Sequence, residues 1–296
     1  MKYRRNLLLS LSLLGLAVFW IVRSSDVHAA TEAALRLCVY SLLPALFPFF
    51  VLTSFLISLG FPAALGRLLR GPMERLFHLG GSGASALLLG FLGGYPTGAR
   101  TVSELYTAGE LSKEEAERAL SFANNCSPAF FVSFVGSEVF HAPRLGLLLW
   151  LIHVLSALSV GLLFRGKAPA RRCVLPRREV ESLSAALIRA VASALSAYLT
   201  VCSFVLLFSV LSFPLAEHPL LLGFFELSRG VAALPTTRLG FALAGFFCGF
   251  GGLAVQLQSL AFILPAGLSP KKHIAGKLLQ GLLAGLLSFF AAPLLF

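Results

Sequence analysis

The chain has 296 residues, of which 57% are hydrophobic and only 12% charged, with a formal net charge of +11. Soluble domains carry about a quarter charged residues, so this composition excludes an ordinary soluble protein and defines an integral membrane protein. The basic residues stand in short connections between apolar runs, where they act as topology signals rather than as a nucleic-acid surface. Cys38, Cys126, Cys173, Cys202 and Cys248 are scattered singly without a C-x-x-C pair; they read as small buried apolar residues, not as a metal site or a disulfide framework.

In chain order, Lys2, Arg4 and Arg5 precede an apolar run over 7–22, a start-inside signal for an anchor or a signal-like segment over 1–30. A run over 37–59 is long enough to cross, with a kink expected at Pro44 and Pro48. Residues 66–80 alternate basic and apolar positions, as in an amphipathic helix lying in the cytoplasmic interface. The apolar run over 82–92 is half the length needed to span and ends at Gly93-Gly94-Tyr95-Pro96-Thr97-Gly98. The moderately apolar 102–108 and the aqueous 109–119 follow, and this order predicts a re-entrant hairpin with its tip at 93–98. Glu114, Glu115 and Glu117 in the aqueous stretch read as a solvated face.

Residues 120–139 can cross but are interrupted by Asn124, Asn125, Ser127 and Pro128, and 145–164 cross back. The next loop is the most basic in the chain and is expected in the cytoplasm, 190–213 cross outward, and 220–235 read as interfacial. A short apolar segment over 239–250 ends at Gly251-Gly252, giving a second expected hairpin, and 274–296 make the last crossing. The inside segments of this layout hold 15 Lys and Arg and the outside segments seven, in line with the positive-inside bias.

The fold class predicted is therefore all-α, with about six transmembrane helices, two re-entrant hairpins and interfacial helices. The two halves follow one plan, with 38–50 parallel to 196–208, Gly93-Gly94 to Gly251-Gly252, and Ser112 to Ser269. The first half starts by running inward and the second outward, so the repeat is expected to be inverted, as in many secondary transporters with a midplane site. The division predicted is 31–165 for the first repeat, 166–187 for a basic cytoplasmic linker and 188–296 for the second repeat.

Broken backbone in a bilayer is tolerated only against protein or a wet cavity, and half-helix N-termini at such breaks favour anions. The candidate binding residues are Gly93, Gly94, Tyr95, Pro96, Thr97, Gly98, Arg100, Asn124, Asn125, Ser127, Gly251, Gly252, Gln256 and Gln258. Arg100 has two readings: a guanidinium fork for a substrate carboxylate, or the partner of Glu104 four residues on. Gln256 and Gln258, two apart, cannot share a helix face, so one of them is expected to face the site. Lys277 is expected to snorkel from a membrane end, and His153 reads as a packing histidine rather than a proton relay. No metal-ligand spacing, phosphate loop or nucleophile elbow is present, so the reading is not that of an enzyme and names no catalytic or metal residue.

The stretch GGYPTGARTVSELYTAGELSKEEAERALSFANNCSP (93–128) resembles the sporulation integral membrane protein YlbJ family, which carries the nucleoside-recognition gate fold. CGFGGLAVQLQSLAFILPAGLSPKKHIAGKLLQG (248–281) is similar to its second signature. The resemblance implies a core like that of concentrative nucleoside transporters, a homo-oligomer, and a role in moving dipicolinate across the outer forespore membrane. It makes a small organic anion the expected substrate, the lipid bilayer the other partner, and a proton or sodium ion the expected coupling species, with no cofactor. Two other readings stand beside it: a nucleoside or nucleobase carrier on the same scaffold, and a sporulation membrane scaffold that transports nothing.

Overall fold

The computed structural model describes residues 2–166, 182–215 and 217–292, and all regular structure among them is helical. Most of the expected basic linker lies outside the described residues.

Helix α1 (Lys2–Val22) is followed by a continuous 35-residue helix over Ser24–Ser58. This is made of α2 (Ser24–Arg36), a π-helical turn (Leu37–Leu42) and α3 (Leu43–Ser58). The crossing therefore begins well before residue 37. The aqueous stretch ahead of it stays helical because Arg23 pairs with Asp26 and Arg36 with Glu32, one turn apart. The distortion expected at the prolines takes the form of the π-helical turn directly before Pro44, with Pro48 inside α3.

Two short helices follow, α4 (Phe61–Leu68) and α5 (Arg70–Phe77). The chain turns at His78 in a left-handed conformation and bends by 95° into α6 (Gly81–Gly93). After a tip at 94–96, α7 (Thr97–Thr107) doubles back against α6: a methyl group on Gly90 would stand 3.3 Å from the Gly98 Cα. Helix α8 (Lys113–Leu120) starts with a capping box between Ser112 and Glu115. Glu115 is thus buried and engaged, contrary to the solvated face expected there, and Glu117 accepts from the Ser269 backbone N–H of the second half.

The chain is unwound over 121–127, continues as a π-helix (Phe130–Val139), and returns in α9 (Pro143–Leu163). The crossing expected over 120–139 is thus a half-length helix joined to an unwound segment. The second half runs through α10 (Leu183–Leu211), the short helices α11 (Pro219–Phe225) and α12 (Leu227–Ala232), then α13 (Arg238–Phe250), α14 (Gly252–Ile263) and α15 (Lys271–Ala291). Residues 238–263 are long and apolar enough together to cross, so the second expected hairpin is laid out as a span interrupted at Gly251-Gly252. Among the described residues five helices are long enough to cross, or six when the bent α5–α6 pair is counted as one.

The first long helix packs on α10, the π-helix on α9, and α13 along α15. Leu147, Leu151 and Leu155 on α9, and Leu278, Leu282 and Leu286 on α15, recur every four residues and stay exposed, as lipid-facing stripes do. The interior reverses this pattern. Asn124, Asn125, His153, Ser259, Lys277 and Gln280 are each at most 1% exposed. Polar groups are inside and apolar stripes outside.

Candidate functional site

The site is built around the unwound stretch at 121–127. Gly90 and Gly98 on the two arms of the hairpin both face the Ala123 carbonyl, where a methyl group would come within 1.6 and 2.1 Å of the oxygen. Gly276 on α15 presses on Ser121 from the other side, its would-be methyl 2.2 Å from that carbonyl. Only glycine allows backbone to approach backbone this closely, so these positions seat the unwound segment between the two halves.

The segment's amides then fan outward. Asn124 Oδ1 accepts from the Ala99 N–H in the first turn of α7 (3.2 Å), and its Nδ2 donates to Ser259 Oγ on α14 (2.7 Å). Asn125 Nδ2 donates to the Phe122 carbonyl, and its Oδ1 accepts from Gln280 Nε2 on α15 (2.9 Å). His153 Nε2 accepts from the Cys126 N–H (3.2 Å), which makes it the hydrogen-bonded packing histidine that was expected.

Lys277 is the largest departure from expectation. It does not snorkel: its side chain is 0% exposed, and Nζ donates to the Asn124 carbonyl (2.9 Å) and Gln280 Oε1 (2.7 Å). Its ammonium also stands 4.9 Å from the centre of the Tyr95 ring, a cation–π arrangement. Among the described residues Lys277 forms no ion pair with a carboxylate. Burying an ammonium costs on the order of several kcal/mol unless it is compensated; here the compensation comes from the open carbonyl of a broken backbone, an amide and a π face.

The hairpin tip reaches the second glycine break. The Tyr95 hydroxyl donates to the Cys248 carbonyl (2.9 Å), and a methyl group on Gly251 would lie 3.5 Å from Tyr95 Cζ. Gly94 (φ +72°) and Gly251 (φ +91°) both adopt left-handed conformations that other residues take only with strain. Gly94 backs onto Ser127, 3.1 Å from its Cβ to a would-be methyl. Pro96 precedes α7, and Thr97 Oγ1 donates to the Gly93 carbonyl, closing the tip. Gly252 opens α14 against the Gly223 carbonyl.

Beside the tip lies a cavity of about 50 Å³, lined among others by Gly94, Tyr95, Ser127, Glu226, Ser228 and Gln258. The two glutamines part company there. Gln258 lines the cavity, with Oε1 lacking a partner, while Gln256 Nε2 turns back to the Phe250 carbonyl (2.6 Å). Arg100 is elsewhere. Its side chain is 57% exposed, pairs with Glu104 at 2.7 Å and does not line the cavity. An i,i+4 partner one turn away satisfies it locally, so the intrahelical alternative describes its position; the buried cation is Lys277, which meets the cavity only through the Tyr95 ring and does not itself line it.

Sequence reasoning missed three contributors. Lys277 and Gln280 share a face of α15 at i,i+3, a spacing that marks a polar pair inside an apolar helix. Glu226, in the sequence Phe-Phe-Glu-Leu-Ser-Arg-Gly, caps α12 and is 3% exposed, where an interfacial reading placed it near water.

Fold and site together define a multipass, all-α integral membrane protein whose polar centre is assembled from interrupted helices of both halves. Residues 39–139 match the family described as Gate: Nucleoside recognition. The chain is 28% identical over 305 aligned residues to the sporulation integral membrane protein YlbJ of Bacillus subtilis (strain 168), covering 86% of this chain and 75% of that protein. No solved structure matches it. The resemblance drawn from the two glycine-centred signatures is borne out by these matches.

Proposed function

We propose that the protein is a membrane carrier for a small organic anion, working by alternating access on an inverted repeat, and that its substrate is dipicolinate during spore formation. The observation that carries this reading is Lys277: a fully buried ammonium, bonded among the described residues only to neutral acceptors and placed where three interrupted segments converge. A cation held without a counter-ion gives the site a sign, and the N-terminal ends of α7 and α14 at the two breaks add to it. Likeness to a sporulation membrane protein supports the physiological setting.

A cavity of about 50 Å³ is far below the ~300–1,000 Å³ of pockets that hold drug-sized ligands. In this reading the structure is a closed state that must open for substrate to enter. The test is uptake of radiolabelled dipicolinate by proteoliposomes containing the purified protein. Uptake above empty vesicles is expected; none in either gradient direction, with protons or sodium, would remove the proposal.

A nucleoside carrier on the same scaffold is the second reading, favoured by the match over 39–139. Competition separates the two: uridine in excess leaves dipicolinate uptake unchanged if the substrate is the anion and suppresses it if the site takes nucleosides.

A further inference from the structure

A carboxyl group in the wall of an anion site is an electrostatic contradiction. Glu226 is 3% exposed and lines the cavity together with Tyr95, Ser127 and Gln258. The remaining wall is largely apolar, from Leu46, Phe50 and Phe130 in the first half to Val201, Val205 and Val255 in the second. In so apolar a setting, an ionised Glu226 in the wall and a carboxylate substrate in the cavity repel each other strongly. The two can share the site only when one carries a proton.

The surroundings prepare the group for that. Each carboxyl oxygen accepts one backbone N–H, Oε1 from Ser228 (3.0 Å) and Oε2 from Arg229 (2.7 Å), so the group is held in place in either protonation state. The Arg229 guanidinium does not close on it but donates to the Ser209 carbonyl (3.1 Å). The other titratable groups nearby are Tyr95 and Cys126 in the cavity wall, Cys38 on the π-helical turn, and Tyr198 and Cys202 on α10. Gln258 Oε1, buried in the same wall, is an acceptor without a donor, and a protonated carboxyl is the kind of donor such an acceptor lacks. Burial raises the affinity of Glu226 for its proton, against the pull of the two N–H groups, the Ser228 hydroxyl and Arg229.

We propose that Glu226 is the proton-coupling site of the carrier: it takes up one proton from the side on which the anion enters and releases it on the other. In the balance of the step, bulk water supplies H⁺, carboxylate becomes carboxylic acid as the anion enters, and the proton leaves again with the anion. No bond to the substrate forms. The inference rests on the anion-carrier reading above and adds to it the driving ion and the residue that carries it.

The test uses proteoliposomes with the membrane potential clamped at zero and radiolabelled dipicolinate as probe. For one proton carried per anion, an inward proton gradient of one pH unit should drive about tenfold accumulation in the wild type. Glu226→Gln keeps an acceptor for α12 but cannot titrate; it should lose proton-driven accumulation, the dipicolinate level it reaches no longer responding to the proton gradient. Tenfold accumulation by Glu226→Gln, or accumulation driven by a sodium gradient and indifferent to protons, would overturn the proposal. Should Glu226→Gln not fold, Glu226→Asp withdraws the carboxyl by one methylene and should move the pH of half-maximal accumulation; an unchanged midpoint overturns it equally. If the wild type transports no dipicolinate at all, the carrier reading fails first. Infrared spectra of the purified protein recorded across pH then decide the role of Glu226: a protonated-carboxyl band that persists above the ordinary value of 4.5 and that Glu226→Gln removes retains it as a proton site, and absence of that band ends it.

Discussion

The Lys277 ammonium lies 4.9 Å from the centre of the Tyr95 ring, and the Tyr95 hydroxyl donates to the Cys248 carbonyl. One aromatic side chain at the hairpin tip of the first half thus touches both the buried cation and the glycine break of the second half, and it lines the cavity as well.

If Lys277 supplies the charge that attracts the anion, Lys277→Met should weaken dipicolinate binding at least about tenfold, equivalent to about 1.4 kcal/mol. Arg100→Ala should change it by less than about threefold, because an exposed i,i+4 pair is worth only ~0.2–1 kcal/mol to begin with. Calorimetric titration of both variants in nanodiscs makes the comparison. The reverse ranking would return the anion to Arg100.

Tyr95→Phe removes one buried hydrogen bond and should cost about 0.5–1.5 kcal/mol in stability. Tyr95→Ala also removes the ring beneath Lys277 and should cost several times more, since a large buried aromatic is worth ~3–5 kcal/mol. Thermal unfolding in detergent reads both. Equal shifts for the two variants would mean that the ring does not hold the tip.

Gly90→Ala, Gly98→Ala and Gly276→Ala each drive a methyl group into backbone of the unwound segment at 1.6–2.2 Å. Overpacking of this kind costs at least ~1–3 kcal/mol. Gly15→Ala, with nothing within 4 Å, is the control and should leave the melting temperature unchanged. A neutral Gly98→Ala would show that the hairpin and the unwound segment are not in contact.

Burial holds the Glu226 carboxyl above its ordinary value of 4.5 in the folded protein. A group whose affinity for its proton rises on folding lends stability that is fully present below the unfolded value and is lost as pH climbs through the folded one. The wild type should therefore lose stability relative to Glu226→Gln as pH rises above the ordinary carboxyl value of 4.5. Melting curves of the pair across that range are the measurement, and a difference that grows in the opposite sense would contradict the assignment.

Much of the architecture could be read from composition and punctuation. Glycine and proline inside apolar runs located the breaks at 93–98, 124–128 and 249–252, because irregular backbone has few tolerated places in a bilayer. What could not be read was direction. Hydropathy treats Arg100 and Lys277 alike, as single charges near segment ends; the Arg100 partner lies one turn away on its own helix, whereas one of the two Lys277 acceptors is backbone more than a hundred residues distant. Glu226 was hidden in the same way, since a short helix at an interface and a short helix folded into the protein have the same sequence. The second glycine pair looked like a hairpin tip because a break does not reveal its bend angle.

Three glycines from the two halves close on the same few peptide units, Gly90 and Gly98 on Ala123 and Gly276 on Ser121. Contacts between main chains cannot slide as side chains do, because every small displacement meets a carbonyl. The hairpin, the unwound segment and the adjoining part of α15 must therefore travel as one block. Any opening has to occur where the join is made of interchangeable side chains, along the face between the first long helix and α10, where the Tyr198 hydroxyl on the Cys38 carbonyl is a polar fastening that a moving carrier would have to release.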